Sequence, residues 1–210
     1  MLNYVSFFIE IRLLTGLKIH AMTIEEYIRK FIDPKLEQGS LPFKTRHLYL
    51  NRGSVITDYG QHEKNIYFIK SGIAQLTFLT NDLKERILFF HTENTFVGVI
   101  SSYYLKIPSD VQLSCVTECD MEYIDLDELE NISKTSLLAS NFVNHELKSL
   151  IIKLIKKQKD IYRKRATDMY SDLFESHPDL VKRLSVKKLA QYLGIYPESL
   201  SRIRRDFLKQ

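Results

Sequence analysis

Only two of the 210 residues are cysteine, Cys115 and Cys119. One pair four residues apart builds no disulfide framework. The pair is expected as buried thiols on one face of a strand, in the reducing cytoplasm. Long apolar runs are missing as well. The opening MLNYVSFFIEIRLLTGLKIHAM is broken by Glu10 and Arg12, leaving it too short and too charged to span a membrane, and no small-residue cleavage site follows. Residues 1–22 are therefore expected to be an uninformative extension, and Met22 is an alternative start. No His-x-His, Ser/His/Asp set, Gly-rich phosphate loop or paired carboxylates stand out. His47, His62 and His91 are scattered, so a metal-dependent jelly-roll enzyme has no ligand set to use. The expectation is no enzyme, no catalytic residue, no metal and no cofactor.

Acidic residues are scarce in the last third. Residues 148–210 carry 16 Lys/Arg against 7 Asp/Glu, a net +9, while residues 1–147 carry 14 against 19, a net −5. A basic C-terminal module behind an acidic front is the charge pattern of a nucleic-acid-binding domain joined to a separate one.

Along the chain, Ile24, Tyr27, Ile28 and Phe31 share one helical face. From about residue 45 to 124 come short runs rich in β-branched and aromatic residues: HLYL, SVITDYG, NIYFIKSGIAQLTFL, ERILFFHT, VQLSCVTE and MEYIDL. Their spacing predicts an antiparallel sandwich or jelly-roll barrel. After a short helix in DLDELENIS, the residues Val143, Leu147, Leu150, Leu154 and Ile161 recur at steps of four and three, broken by Lys157. That is the seam of two helices lying side by side. The remainder reads as three helices, in YRKRATDMYSDLFESHP, VKKLAQYLG and PESLSRIRRDFLK. The fold class is α+β: a barrel over residues 23–135, a dimerisation helix over 136–162 and an all-α unit over 163–210.

The last unit is the most informative. Val186, Leu189, Ala190 and Leu193 form an apolar face, Gly194 suits a left-handed turn, and Pro197 restarts a helix, which is helix-turn-helix punctuation. Leu200, Ile203 and Phe207 line the inner side of the second helix. At about 100° per residue Glu198, Arg202, Arg205 and Lys209 fall on the other. A recognition helix inserts such a face into the major groove. Arg202 can chelate guanine O6 and N7, and Glu198 can accept from cytosine N4 or hold Arg202. Ser199 and Ser201 are expected at phosphates, with Arg204, Arg205 and Lys187 adding backbone attraction.

The stretch YLGIYPESLSRIRR resembles the helix-turn-helix of the Crp/Fnr family of bacterial transcription regulators. LNRGSVITDYGQHEKNIYFIKSG is similar to that family's cyclic-nucleotide-binding-type barrel, and the long helix resembles its dimerisation helix. The resemblance implies a cytoplasmic homodimer on double-stranded DNA, with RNA polymerase as a further partner where control is activating. Two departures concern the reader: Pro197, Glu198 and Ser199 stand where Arg-Glu-Thr is common, and Tyr196 where Thr or Ser caps the helix.

The sensor departs further. In cyclic-nucleotide-binding members of the family a Glu follows Phe-x-Gly and takes the ribose, while an Arg holds the phosphate. Here Phe96 and Gly98 are followed by Val99, and Ser109, Asp110 and Val111 replace Arg-Ser-Ala. A buried phosphate needs a cation, and Asp110 supplies the opposite charge. Cyclic AMP is therefore not expected to bind, and two cysteines cannot hold an iron–sulfur cluster. Another effector, of unknown identity, would meet Phe90, Gly98, Val99, Tyr103, Tyr104, Ser109 and Asp110. The competing function is a protein-interaction module whose helix-turn-helix docks on another regulator.

Overall fold

A computed structural model describes residues 21–207. Residues 1–20 and Lys209, on which expectations were placed, lie outside the described residues. The chain divides within its longest helix into two compact units, which among the described residues span 21–157 and 158–207.

The first unit opens with α1 (Ile24–Phe31), started by a capping box in which Thr23 and Glu26 satisfy each other's backbone N–H. Eight strands follow: β1 (Arg46–Leu50), β2 (Val55–Thr57), β3 (Asn65–Ser71), β4 (Ala74–Leu79), β5 (Glu85–His91), β6 (Thr95–Val97), β7 (Val111–Cys115) and β8 (Cys119–Asp125). The helix α2 (Ile100–Leu105) lies between β6 and β7, and α3 (Leu126–Ser133) follows β8. The strands form two antiparallel sheets, ordered β1-β8-β3-β6 and β2-β7-β4-β5. This is the expected antiparallel jelly roll.

Two apolar clusters hold the unit together. Ile69, Val97, Val99, Leu113, Cys115, Cys119 and Met121 fill the space between the sheets. Ile24, Ile28, Phe68, Phe96, Ile124 and Phe142 bind α1 and the long helix α4 (Leu137–Arg163) to the outside of the first sheet. Each large buried side chain contributes about 1.5–3 kcal/mol of burial.

Two sequence expectations are corrected here. The cysteines do not share one strand: Cys115 ends β7 and Cys119 begins β8, in different sheets. Pleat alternation was carried across residues 116–118, where the chain turns instead. The strand β6 was also missed, because three residues are too few to show a period.

In the second unit, α5 (Ala166–Ser176), α6 (Pro178–Arg183), α7 (Val186–Leu193) and α8 (Pro197–Phe207) make four helices after α4, one more than expected. Pro178 begins α6 at its first position, where a missing N–H costs nothing; it had been read only as the end of the preceding helix. No helix among the described residues is long and apolar enough to cross a membrane.

Candidate nucleic-acid interface and sensor barrel

Ser185 caps α7 by accepting from the Lys188 N–H at 3.3 Å. The helix ends at Gly194, whose φ of 72° is left-handed, and the N–H groups of Gly194 and Ile195 both return to the Ala190 carbonyl. Leu189, Ala190 and Leu193 are buried, as is Leu200 on the facing helix α8. Phe207 anchors the far end of α8, its ring centroid 5.2 Å from that of Phe174 and 5.9 Å from that of Tyr170. With its inner side fixed, α8 turns Glu198, Arg202 and Arg205 to solvent on one face.

Ser199 and Arg204 are half-buried, and Lys187 on α7 is exposed. Ser201 is exposed, and its hydroxyl donates to the Pro197 carbonyl one turn back at 3.0 Å. Tyr196 supplies the carbonyl that starts α8 and is 71% exposed.

On α4 the expected seam splits. Val143 packs against the barrel's outer cluster and Leu150 is half-buried, whereas Leu147, Leu154 and Ile161 are exposed, together with Ile151 and Ile155. The exposed apolar stripe is thus centred on Leu147, Ile151 and Leu154, rotated away from Val143 and Leu150. Lys157, which breaks the seam in sequence, belongs to the barrel-facing side, where its ammonium lies 4.4 Å from the Phe89 ring centroid.

The seven pocket positions differ in burial and surroundings. Val99 is 2% exposed within the inter-sheet cluster, and Tyr103 lies in the outer cluster with its hydroxyl donating to Asp127 at 2.7 Å. Tyr104 and Asp110 face solvent, and Phe90 is half-buried on β5. Ser109 is buried, its hydroxyl donating to the Val111 carbonyl at 2.5 Å. Gly98 lies so close to β3 that a Cβ there would stand 3.2 Å from the Asn65 carbonyl.

Sequence reading also missed a buried carboxylate. Glu63 is 6% exposed and accepts from the backbone N–H groups of Lys64 and Asn65 at 2.8 Å each, and from the hydroxyls of Thr57 and Tyr67. Its own N–H donates to Ser102 on α2 at 3.4 Å. The loop carrying it is tied to Ser109 by two backbone bonds of 2.8 Å, Gly60 N–H to the Ser109 carbonyl and Ser109 N–H to the Gln61 carbonyl. Nothing in the local pattern QHEKN marks Glu63 as inward-facing.

Residues 47–136 match the family model of the cyclic nucleotide-binding domain. A comparison with curated protein sequences finds no match. Among solved structures, FixK2 from Bradyrhizobium japonicum superposes with a TM-score of 0.65 at 15% identity, covering 80% of this chain and 86% of that one. The c-di-GMP-responsive global regulator CLP of Xanthomonas campestris gives 0.62 at 20% identity over 79% and 87%. A transcriptional regulator of the Crp/Fnr family from Eubacterium rectale gives 0.62 at 16% identity over 78% of each chain.

The chain has the Crp/Fnr fold.

Within the Crp/Fnr fold of this chain, Ser109 is buried with its hydroxyl committed to the backbone, and Val99 is a core residue. The buried carboxylate of Glu63 is held by the same loop that Ser109 fixes. Among the described residues, the hydrogen-bond partners of Glu63 are backbone N–H groups and uncharged side chains, with no Lys or Arg side chain. Among the described residues no group of His, Cys, Asp and Glu could hold a metal ion.

Proposed function

We propose that the chain is a homodimeric, sequence-specific DNA-binding transcription regulator. The observation that carries this reading is α8: Leu200 is fully buried, while Glu198, Arg202 and Arg205 are exposed on the opposite face. Such a helix offers a rigid row of base-reading groups to a major groove. Arg204, Arg205 and Lys187 supply phosphate attraction, and Ser199 remains available near the helix start.

The exposed stripe on α4 pairs with the same stripe of a second chain. Two recognition helices then meet successive major grooves about 34 Å apart, and the operator is an inverted repeat. The effector is neither cyclic AMP nor another cyclic nucleotide. A cyclic dinucleotide, the effector class named for the Xanthomonas protein, brings two phosphates to a barrel that has Ser109 where the family's arginine is expected and that buries the Glu63 side chain. The protein works in the cytoplasm, and where it activates, RNA polymerase is its partner.

Selection of binding sites from genomic DNA, followed by anisotropy titration at about 50 and 200 mM salt, tests the reading. Affinity should fall by orders of magnitude over that range if several phosphates are contacted. Recovery of no enriched inverted repeat, or binding indifferent to salt, would overturn it in favour of a protein-docking module.

A further inference from the structure

The two cysteines, separated between sheets, meet in space. Cys115 lies opposite Ala74 in the β4–β7 ladder, and the Cys119 sulfur is 3.5 Å from the carbonyl oxygen of Ile73, the preceding residue. Both therefore converge on one short backbone segment, in the same core cluster, 4% and 0% exposed. The Cys119 thiol donates to the carbonyl oxygens of Ile73 and Thr117 at 3.5 Å each, and the two thiols lie close enough to perturb each other's ionisation. Gly72 makes the space: a Cβ there would stand 2.7 Å from the Cys119 sulfur and 2.3 Å from the Glu118 carbonyl oxygen.

We propose that Cys115 and Cys119 form a modification site, a dithiol that a small hydroperoxide oxidises to an intramolecular disulfide joining the two sheets at this end of the barrel. Their proximity draws Cys119 below the ordinary thiol value and pushes Cys115 above it, so Cys119 is taken as the first sulfur to react. The Cys119 thiolate attacks the peroxide, the O–O bond breaks, and an alcohol or water leaves with the displaced oxygen, giving a sulfenic acid. The Cys115 sulfur then attacks the Cys119 sulfur, the S–O bond breaks, and water leaves with the Cys115 proton. Two thiols lose two electrons and two protons to one peroxide. Burial restricts the oxidant to small molecules; a glutathione-sized disulfide has no approach to either sulfur.

This site is independent of DNA binding, and its test reads no DNA. Full-length reduced protein is treated with hydrogen peroxide, and its intact mass and alkylatable thiols are measured after denaturation. The expected product is a monomer lighter by two hydrogens with neither thiol reactive, both restored by dithiothreitol. Cys115→Ser should stop at a sulfenic acid on Cys119 that dimedone traps; if that variant does not fold, the wild-type mass alone decides. Glutathione disulfide should leave the native protein unmodified, and a mixed-disulfide adduct would overturn the size restriction. Two thiols surviving peroxide that oxidises the unfolded chain, a disulfide between chains, or separate progress of each cysteine to sulfinic acid would each overturn the proposal.

Discussion

Lys157 of the long helix donates a hydrogen bond to the backbone carbonyl of Leu88. That carbonyl lies at an irregularity in the β4–β5 ladder, where Thr77 faces Ile87 but Leu76 faces Phe89, so that Leu88 is passed over. A bulge residue loses its ladder partner, and Lys157 supplies the donor. Its ammonium also lies over the Phe89 ring, an attraction of about 0.5–2 kcal/mol. The break in the apolar seam is thus a polar clamp between α4 and β5. Lys157→Met should remove the donor and the cation while keeping the stem, costing about 1–3 kcal/mol. Hydrogen exchange should show faster exchange along β4 and β5, with α7 and α8 unchanged. Uniform loss of protection would mean that Lys157 matters to global stability rather than to this contact.

His91, at the end of the same strand, gives a pH prediction. Its ring bonds the Phe96 backbone, while Nε2 is buried and, among the described residues, is a side-chain polar atom without a partner. Burial, with Lys153 and Lys157 nearby, pushes its pKa down to about 3. The folded state therefore keeps the ring neutral where the unfolded chain, titrating near 6.5, takes a proton. Stability is intact above about pH 6.5 and falls as pH drops toward 3, by about 1.4 kcal/mol per pH unit. His91→Phe should lose this dependence between about pH 6.5 and 5, a window chosen above most carboxylate titrations. Denaturation of the barrel unit at several pH values measures the difference in slope, and equal slopes in both proteins would refute the assignment.

For the reading helix, Arg202→Ala should cost about 1–3 kcal/mol at one base pair and relax preference there. Arg205→Ala should weaken all sequences alike and lower the salt slope by about one. Binding titrations against single-base operator variants separate the two outcomes.

On the stripe, Ile151→Glu with Leu154→Glu should give monomers by light scattering, because two buried charges per chain would need desolvation. Val143 packs on its own barrel, so Val143→Glu should instead destabilise the barrel unit. A dimer surviving the first pair would send the interface elsewhere.

Calorimetry with cyclic AMP should show no saturable heat at micromolar protein. Clear binding would mean that the buried Val99, Ser109 and Glu63 do not exclude the phosphate.

The barrel, the long helix and the helix-turn-helix were legible because each carries its own period or punctuation: β-branched runs between turns, apolar steps of three and four, and Gly194 followed by Pro197. The faces of α4 were not. Val143 and Leu154 satisfy the same heptad, and only the tertiary position of Phe96 and Phe142 decides that Val143 turns inward. The polar interior was equally hidden. Glu63 and His91 are ordinary surface residues by type; the Glu63 loop is tied to Ser102 and Ser109, far along the chain, and His91 is buried near Lys153 and Lys157 of α4. Lys157 was visible as an exception, but its meaning depends on a ladder irregularity that no local pattern encodes.

The exposed stripe of Leu147, Ile151 and Leu154 also has a bearing on gene control. If each chain must find a twin to cover it, operator occupancy at low abundance climbs with the square of chain concentration rather than in proportion to it. Dimer formation then sets a threshold of its own, fixed by how much of the chain the cell makes, whatever effector the barrel takes.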